Sequence, residues 1–236
     1  MPIRIDRDAV RRLLSEEQAQ LIEVLPSEEY EEAHLPGAHS LPLSDLTPAT
    51  ADHLDRARPV IAYCYDFACD LSPRAAWRLE TLGFREVYHY VGGKADWMAA
   101  ALPIEGSAAG LTLVGRLVRP DVPTCSLDTR VAEIRPQLGG EFGTCLVVNE
   151  EKVVLGRVFR SRLGNDDEAT VEAIMDPGPV TFRPDITVDE MAERMRHDEL
   201  RTAPITTSDG RLVGLVFRED VEQAAADRQR PTEARP

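Results

Sequence analysis

The chain has 236 residues, 43% of them hydrophobic, which is enough to bury a core and excludes global disorder. Its formal net charge of −14 excludes a basic nucleic-acid-binding surface, because phosphate backbones select cationic faces. Four cysteines, Cys64, Cys69, Cys125 and Cys145, are too few and too scattered for a disulfide scaffold, and their spacing matches no paired zinc knuckle. The opening MPIRIDRDAVRRLL lacks the apolar centre of a signal peptide, and no run approaches the ~18 apolar residues that span a bilayer. The expectation is a protein of the reducing cytoplasm with neither a membrane nor a nucleic-acid partner.

Residues 3–105 read as alternating strand and helix. DAVRRLLSEEQ is amphipathic, and QLIEVL is a short strand. SEEYEEAHLPGAHSLP opens as a helix with Ser27 as cap and turns at Pro36-Gly37. RPVIAYCY is a continuous apolar run, as expected of a central strand covered on both faces. SPRAAWRLETLGF carries Ser72 as cap, Pro73 at the first helical position and Gly83 just past the end. EVYHYVGG is a further strand ending in the pair Gly92-Gly93, read as a close backbone approach. Trp77 and Trp97 read as core aromatics, and His34 as a hydrogen-bonding residue that fixes the HLPGA turn. Together these predict a parallel, doubly covered sheet over residues 1–106; GSAAG at 106–110 reads as flexible, and the linker is placed at 107–111.

Beyond the linker the chain repeats itself. PTCSLDTRVAEI parallels VTFRPDITVDEM at an offset of 57, and GTCLVVNEEKVVLGRVFRSR parallels RTAPITTSDGRLVGLVFRED at 58. The predicted copies are 112–165 and 168–228, each strand, helix, strand, tight turn, strand, helix, packed on each other over 112–228. Residues 229–236 form a polar tail.

In VIAYCYDFACDLSPRAAWRLE a thiol stands where a buried strand stops and a helix is about to begin. Outward-pointing backbone N–H groups at such a place favour a thiolate, so Cys64 is a candidate nucleophile. Cys69 is either a resolving thiol or an alternative nucleophile. Both cysteines also read simply as small buried apolar residues.

LIEVLPSEEYEEAHLPGAHSLPL, the strand-cysteine loop and LGFREVYHYVGGKADW together resemble the rhodanese domain of sulfurtransferases. The resemblance implies that Cys64 carries sulfane sulfur as a persulfide and passes it from a donor to a thiol acceptor. Ser72 and Arg74 would lie at the start of the following helix, and no cofactor is required for catalysis. Here the loop is about two residues longer than the family's and has neither glycine nor arginine. Its Asp66 and Asp70 would repel thiosulfate by roughly 1 kcal/mol each when solvated. Glu23 and Leu25 stand where the family has an aspartate and an arginine, so the ion pair is expected to be missing.

The repeated half resembles a tandem pair of CBS (cystathionine-β-synthase) domains, a family that commonly holds adenosyl nucleotides in the cleft between its repeats. GLVFRED places Gly214 and Asp220 on the family's ribose-binding pattern, with Phe217 in place of the hydroxyl and Arg160 and Arg218 as substitute phosphate ligands. In GRVFRSR, Arg162 replaces the aspartate. The resemblance implies an AMP, ADP, ATP or S-adenosylmethionine type of ligand, or a homodimer formed through the pair. Two functions follow: a sulfurtransferase modulated by its repeats, or a regulatory protein whose rhodanese-like half is a redox or docking platform.

Overall fold

Period-two alternation along short apolar strands organises the N-terminal half. The computed structural model describes residues 1–229, divided into two units at Leu111/Thr112. The tail expected at 229–236 lies outside the described residues, except that Gln229 ends the last helix.

In the first unit, strands β1 (Ile3–Ile5), β2 (Gln20–Glu23), β3 (His39–Ser40), β4 (Val60–Tyr63) and β5 (Val87–Tyr90) form a parallel sheet of order β1-β5-β4-β2-β3. Both β2 and β4 are buried along their whole length, as the unbroken apolar run of β4 requires. On one face Ile22, Val60 and Ala62 meet helix α4 (Leu71–Thr81) through Ala75, Ala76 and Leu79, with α3 (Pro48–Ala51) contributing Ala51. On the other, Leu21, Ile61 and Tyr63 meet Val10 and Leu13 of α1 (Arg7–Glu16) and Trp97 of α5 (Gly93–Ala99). Asp6 caps α1 by accepting a hydrogen bond from Ala9 N at 2.9 Å.

Three expectations are corrected here. Helix α2 (Ser27–Glu32) is preceded by Pro26 at its cap position, and Ser27 lies inside it without a capping bond. Helix α4 begins at Leu71, so Ser72 lies within the first turn and is buried, not at the cap. The 107–111 linker is ordered: Ser107–Gly110 forms a 3-10 turn with Ala108 buried. It is held because His34 and Glu105 exchange two backbone hydrogen bonds of 2.9 Å, and Gly106, at φ +106°, passes against the carbonyls that end α2.

In the second unit, β6 (Thr124–Cys125) runs parallel to β7 (Thr144–Val148), which pairs antiparallel with β8 (Val154–Phe159), and β8 with β9 (Asp176–Pro177). The second copy has Phe182 in a parallel bridge to Ile205, then the hairpin β10 (Thr202–Thr206) and β11 (Leu212–Phe217). Each hairpin has its irregularity at the equivalent place, Val147/Val148 and Ile205/Thr206. The helices are α6 (Val131–Ile134), α7 (Val171–Ile174), α8 (Val188–His197) and α9 (Arg218–Gln229). The first copy lacks the expected last helix. After Phe159 only a 3-10 turn, Arg160–Arg162, forms before Gly164-Asn165, whereas the second copy continues into the alanine-rich α9.

The copies also exchange their leading segments, unlike the chain-order division at 165/168. Val114 packs among Val188, Met191 and Val221, and Arg119 bridges Leu215, so residues 114–119 belong to the second copy's core. Val171 packs among Ile134, Cys145 and Val158, and Asp176 pairs with Arg157 of the first. Gly156 and Gly214 make these approaches feasible, since a Cβ at Gly214 would sit 2.4 Å from Arg119 O and one at Gly156 2.3 Å from Met175 Sδ.

Candidate functional site

Cys64 follows β4 directly, and its side chain turns to the α4 face, where it is 0% exposed among Ala62, Ala75 and Ala76. Its sulfur lies 3.0 Å from Ser72 Oγ and points its S–H at the carbonyl oxygens of Cys69 (3.5 Å) and Asp66 (3.8 Å). Burial first, and then the Cys69 thiol, push the Cys64 thiol up to about 12, against a smaller opposing effect of the Ser72 hydroxyl and N–H. The thiolate expected at the strand end is therefore disfavoured: Cys64 is enclosed, and its surroundings favour the thiol.

Two of the loop's amides are engaged within the loop, while the Ser72 N–H faces the Cys64 sulfur. Asp66 folds its carboxylate back to accept from Ala68 N at 2.9 Å and Cys69 N at 3.1 Å. The first amides of α5 donate to the same loop, Lys94 N to Cys64 O at 2.9 Å and Ala95 N to Tyr65 O at 2.8 Å. An internal carboxylate and two carbonyls thus take two amides of the loop and two of α5. Gly93, at φ +59°, makes this approach, and a Cβ there would lie 2.5 Å from Cys64 O. The close approach expected of the Gly92-Gly93 pair is present.

The remaining candidates separate. Cys69 is half-buried and lines a surface groove of about 660 Å³ with Ile3, Arg4, Phe67, Pro73 and Trp77. Trp77 is 53% exposed in that groove, not a core aromatic, because α4 turns it away from the sheet; Trp97 is buried. Arg74 is exposed and pairs with Asp70 at 3.5 Å one helical turn back, so it does not reach the sulfur. His34 stacks on Tyr30 with ring centroids 3.7 Å apart, and its Nδ1 lies 2.6 Å from Tyr30 O. The ion pair expected to be missing is present in another form, since Lys94 meets Glu23.

In the second unit a cleft of about 650 Å³ is walled by Phe142, Phe159 and Phe217 and by Arg157, Arg160, Arg201 and Arg218. Arg157 is 5% exposed and donates to Thr144 Oγ1 at 2.9 Å and to the Thr202 carbonyl at 3.2 Å, tying one hairpin to the other. Burial lowers its pKa to about 10. Arg218 is committed to the carbonyls of Leu200 (2.7 Å) and Met195 (2.8 Å), which corrects its reading as a phosphate ligand. Gly214 and Asp220 do not line this cleft. Gly214 serves the approach to Arg119, and Asp220 Oδ2 accepts from Arg119 at 2.6 and 3.1 Å. The exposed Arg160 and Arg201 form no ion pair among the described residues. Of the carboxylates lining the cleft, Glu141 is paired with Arg119 and Glu222 with Arg196, which leaves Glu219. Phe142, Arg157 and Arg201 lie far apart in sequence, so no local pattern marked them as one site.

A parallel five-stranded sheet with a cysteine at the C-terminal end of its central strand defines a rhodanese-like α/β protein. Residues 6–100 match the model of the rhodanese-like domain and residues 171–227 that of the CBS domain. The chain is 30% identical over 105 residues to the thiosulfate sulfurtransferase GlpE of Vibrio cholerae, covering 44% of this chain and 96% of GlpE. It is 35% identical over 94 residues to the HTH-type transcriptional regulator Rv0324 of Mycobacterium tuberculosis, covering 39% of this chain and 41% of the regulator. Among solved structures, that of CBSX2 in complex with AMP is similar at 20% identity and a TM-score of 0.45, covering 50% of this chain and 99% of CBSX2. The chain belongs to the rhodanese-like family and carries a CBS domain behind the rhodanese-like domain. No helix among the described residues is long and apolar enough to cross a membrane.

Proposed function

We propose that this chain is a regulatory protein. Its CBS repeats take an adenosyl nucleotide in the arginine-lined cleft, and its rhodanese-like half is a docking and redox platform. The observation that carries this reading is the environment of Cys64, a sealed sulfur facing two carbonyls while Asp66 holds the loop amides. A persulfide there would need both room and anion-stabilising donors; the sealed sulfur has no room, and Asp66 takes two of the loop's amides. In the second unit three phenylalanine rings and the unpaired Arg160 and Arg201 suit a flat base and an anionic phosphate. The similarity of part of this chain to part of a transcriptional regulator supports a regulatory setting.

The second reading is sulfur transfer, favoured by the match to nearly the whole of a thiosulfate sulfurtransferase. In it the Cys64 thiolate attacks the sulfane sulfur of thiosulfate, the S–S bond breaks, and sulfite leaves with the electron pair. Incubation with thiosulfate followed by intact mass, beside a thermal-shift titration with AMP, separates the two. Stabilisation by AMP with no sulfur adduct supports the regulatory reading. A gain of one sulfur that thiols remove, absent from Cys64→Ser, overturns it in favour of the second.

A further inference from the structure

In the second unit the sulfurs of Cys125 and Cys145 lie 3.3 Å apart. The strand register brings them together. Cys125 on β6 stands opposite Val147 on β7, and Cys145, two residues earlier on β7, projects from the same face. A disulfide needs a sulfur separation of about 2.05 Å, so closure must draw the sulfurs roughly 1.2 Å together; because the pair is diagonal in the register, this takes a shift of the two-residue strand β6 as well as side-chain rotation. The two thiols differ in access. Cys125 is half-buried in the wall of a surface cavity of about 390 Å³, together with Asp128 and Glu150. Cys145 is sealed in the core with Ile134, Val147 and Val158.

We propose that Cys125 and Cys145 are a modification site, an oxidisable dithiol that hydrogen peroxide converts into a disulfide joining β6 to β7. The Cys125 thiolate attacks one peroxide oxygen and the O–O bond breaks. Hydroxide leaves and takes up a proton, and Cys125 becomes a sulfenic acid. The Cys145 sulfur then attacks the Cys125 sulfur, expelling hydroxide, which departs as water with the Cys145 proton. Two thiols and one peroxide thus give one disulfide and two waters. The order of attack follows the geometry: the S–H of Cys145 points at Cys125, which lowers the Cys125 pKa, while that contact and burial raise the Cys145 pKa. Asp128 and Glu150 at the cavity disfavour anionic oxidants but not an uncharged peroxide.

The test is peptide mapping of the full chain, reduced, desalted and treated with hydrogen peroxide, without further reduction. The expected product is a peptide linking the Cys125 segment to the Cys145 segment, lost again on dithiothreitol treatment. In Cys145→Ala, Cys125 should stop at the sulfenic acid and be captured by dimedone. Over-oxidation of Cys125 without a link in the unsubstituted chain would overturn the proposal. So would links only to Cys64 or Cys69, or both thiols intact at peroxide levels that oxidise Cys69. Because the decisive measurement uses the unsubstituted chain, poor folding of the variant does not obscure it.

Discussion

Lys94 Nζ lies 2.8 Å from Glu23 Oε1 inside the rhodanese-like domain, the side chains 3% and 0% exposed. Lys94 uses its other two protons on the carbonyls of Ala33 (2.6 Å) and Glu29 (3.0 Å), so the end of α2 is tied to β2 and α5 through one ammonium group. The three donors of the ammonium are all satisfied, as a buried cation requires.

Removing one partner of this pair leaves an uncompensated charge in the core. Lys94→Met is expected to lose about 3–5 kcal/mol of unfolding free energy in urea titrations. Lys94→Met combined with Glu23→Leu should recover much of that loss. A double variant as unstable as the single one would refute the pairing.

Cys64 also makes a pH-dependent contribution to stability. Its folded-state pKa is raised to about 12, so the folded chain keeps a proton that the unfolded chain gives up near the ordinary thiol value. The contribution is whole below that value and is lost as pH rises toward 12, at up to about 1.4 kcal/mol per pH unit. Between pH 8 and 10 the urea midpoint of the unsubstituted chain should fall more steeply than that of Cys64→Ala. Parallel curves would mean that the thiol is not neutral in the fold.

The same raised pKa governs reactivity. Peptide-resolved alkylation at pH 7.5 should label the groove-lining Cys69 at least about tenfold faster than Cys64, since thiolate and access together set the rate. Equal rates would contradict the enclosure of Cys64.

Gly93→Ala introduces a Cβ at φ +59° against two carbonyls of the cysteine loop. A loss of about 1–3 kcal/mol is expected from backbone strain, together with faster alkylation of Cys64 as the loop is displaced. An unchanged melting temperature would show that the approach is not tight.

Arg160→Ala with Arg201→Ala should abolish stabilisation by AMP while leaving the melting temperature of the ligand-free chain nearly unchanged, since both side chains are exposed. Undiminished AMP stabilisation in this variant would place any nucleotide elsewhere.

Features with local signals were legible in the sequence. The apolar run of β4, the Gly92-Gly93 approach and the paired hairpins all come from patterns a few residues long or from direct repetition. Properties that depend on distant residues were not. Nothing near Glu23 announces Lys94, 71 positions away, as its partner. The self-capping of the loop by Asp66 reverses the electrostatic expectation for Cys64 without changing any motif. Trp77 reads as apolar in any window, and only the packing of α4 on the sheet turns it outward. Asp220 matched a ligand pattern, but the chain brings Arg119 to it.

The traded leading segments of the CBS half have a consequence for synthesis on the ribosome. Val114 is made well before Val188, Met191 and Val221, against which it packs, so the second copy's core cannot close until Val221 has emerged. Residues 171–177 complete the first copy much sooner. A nascent chain that has emerged only as far as about residue 180 would therefore hold one finished lobe and one orphaned apolar segment, and neither lobe is a unit that could be excised along the chain.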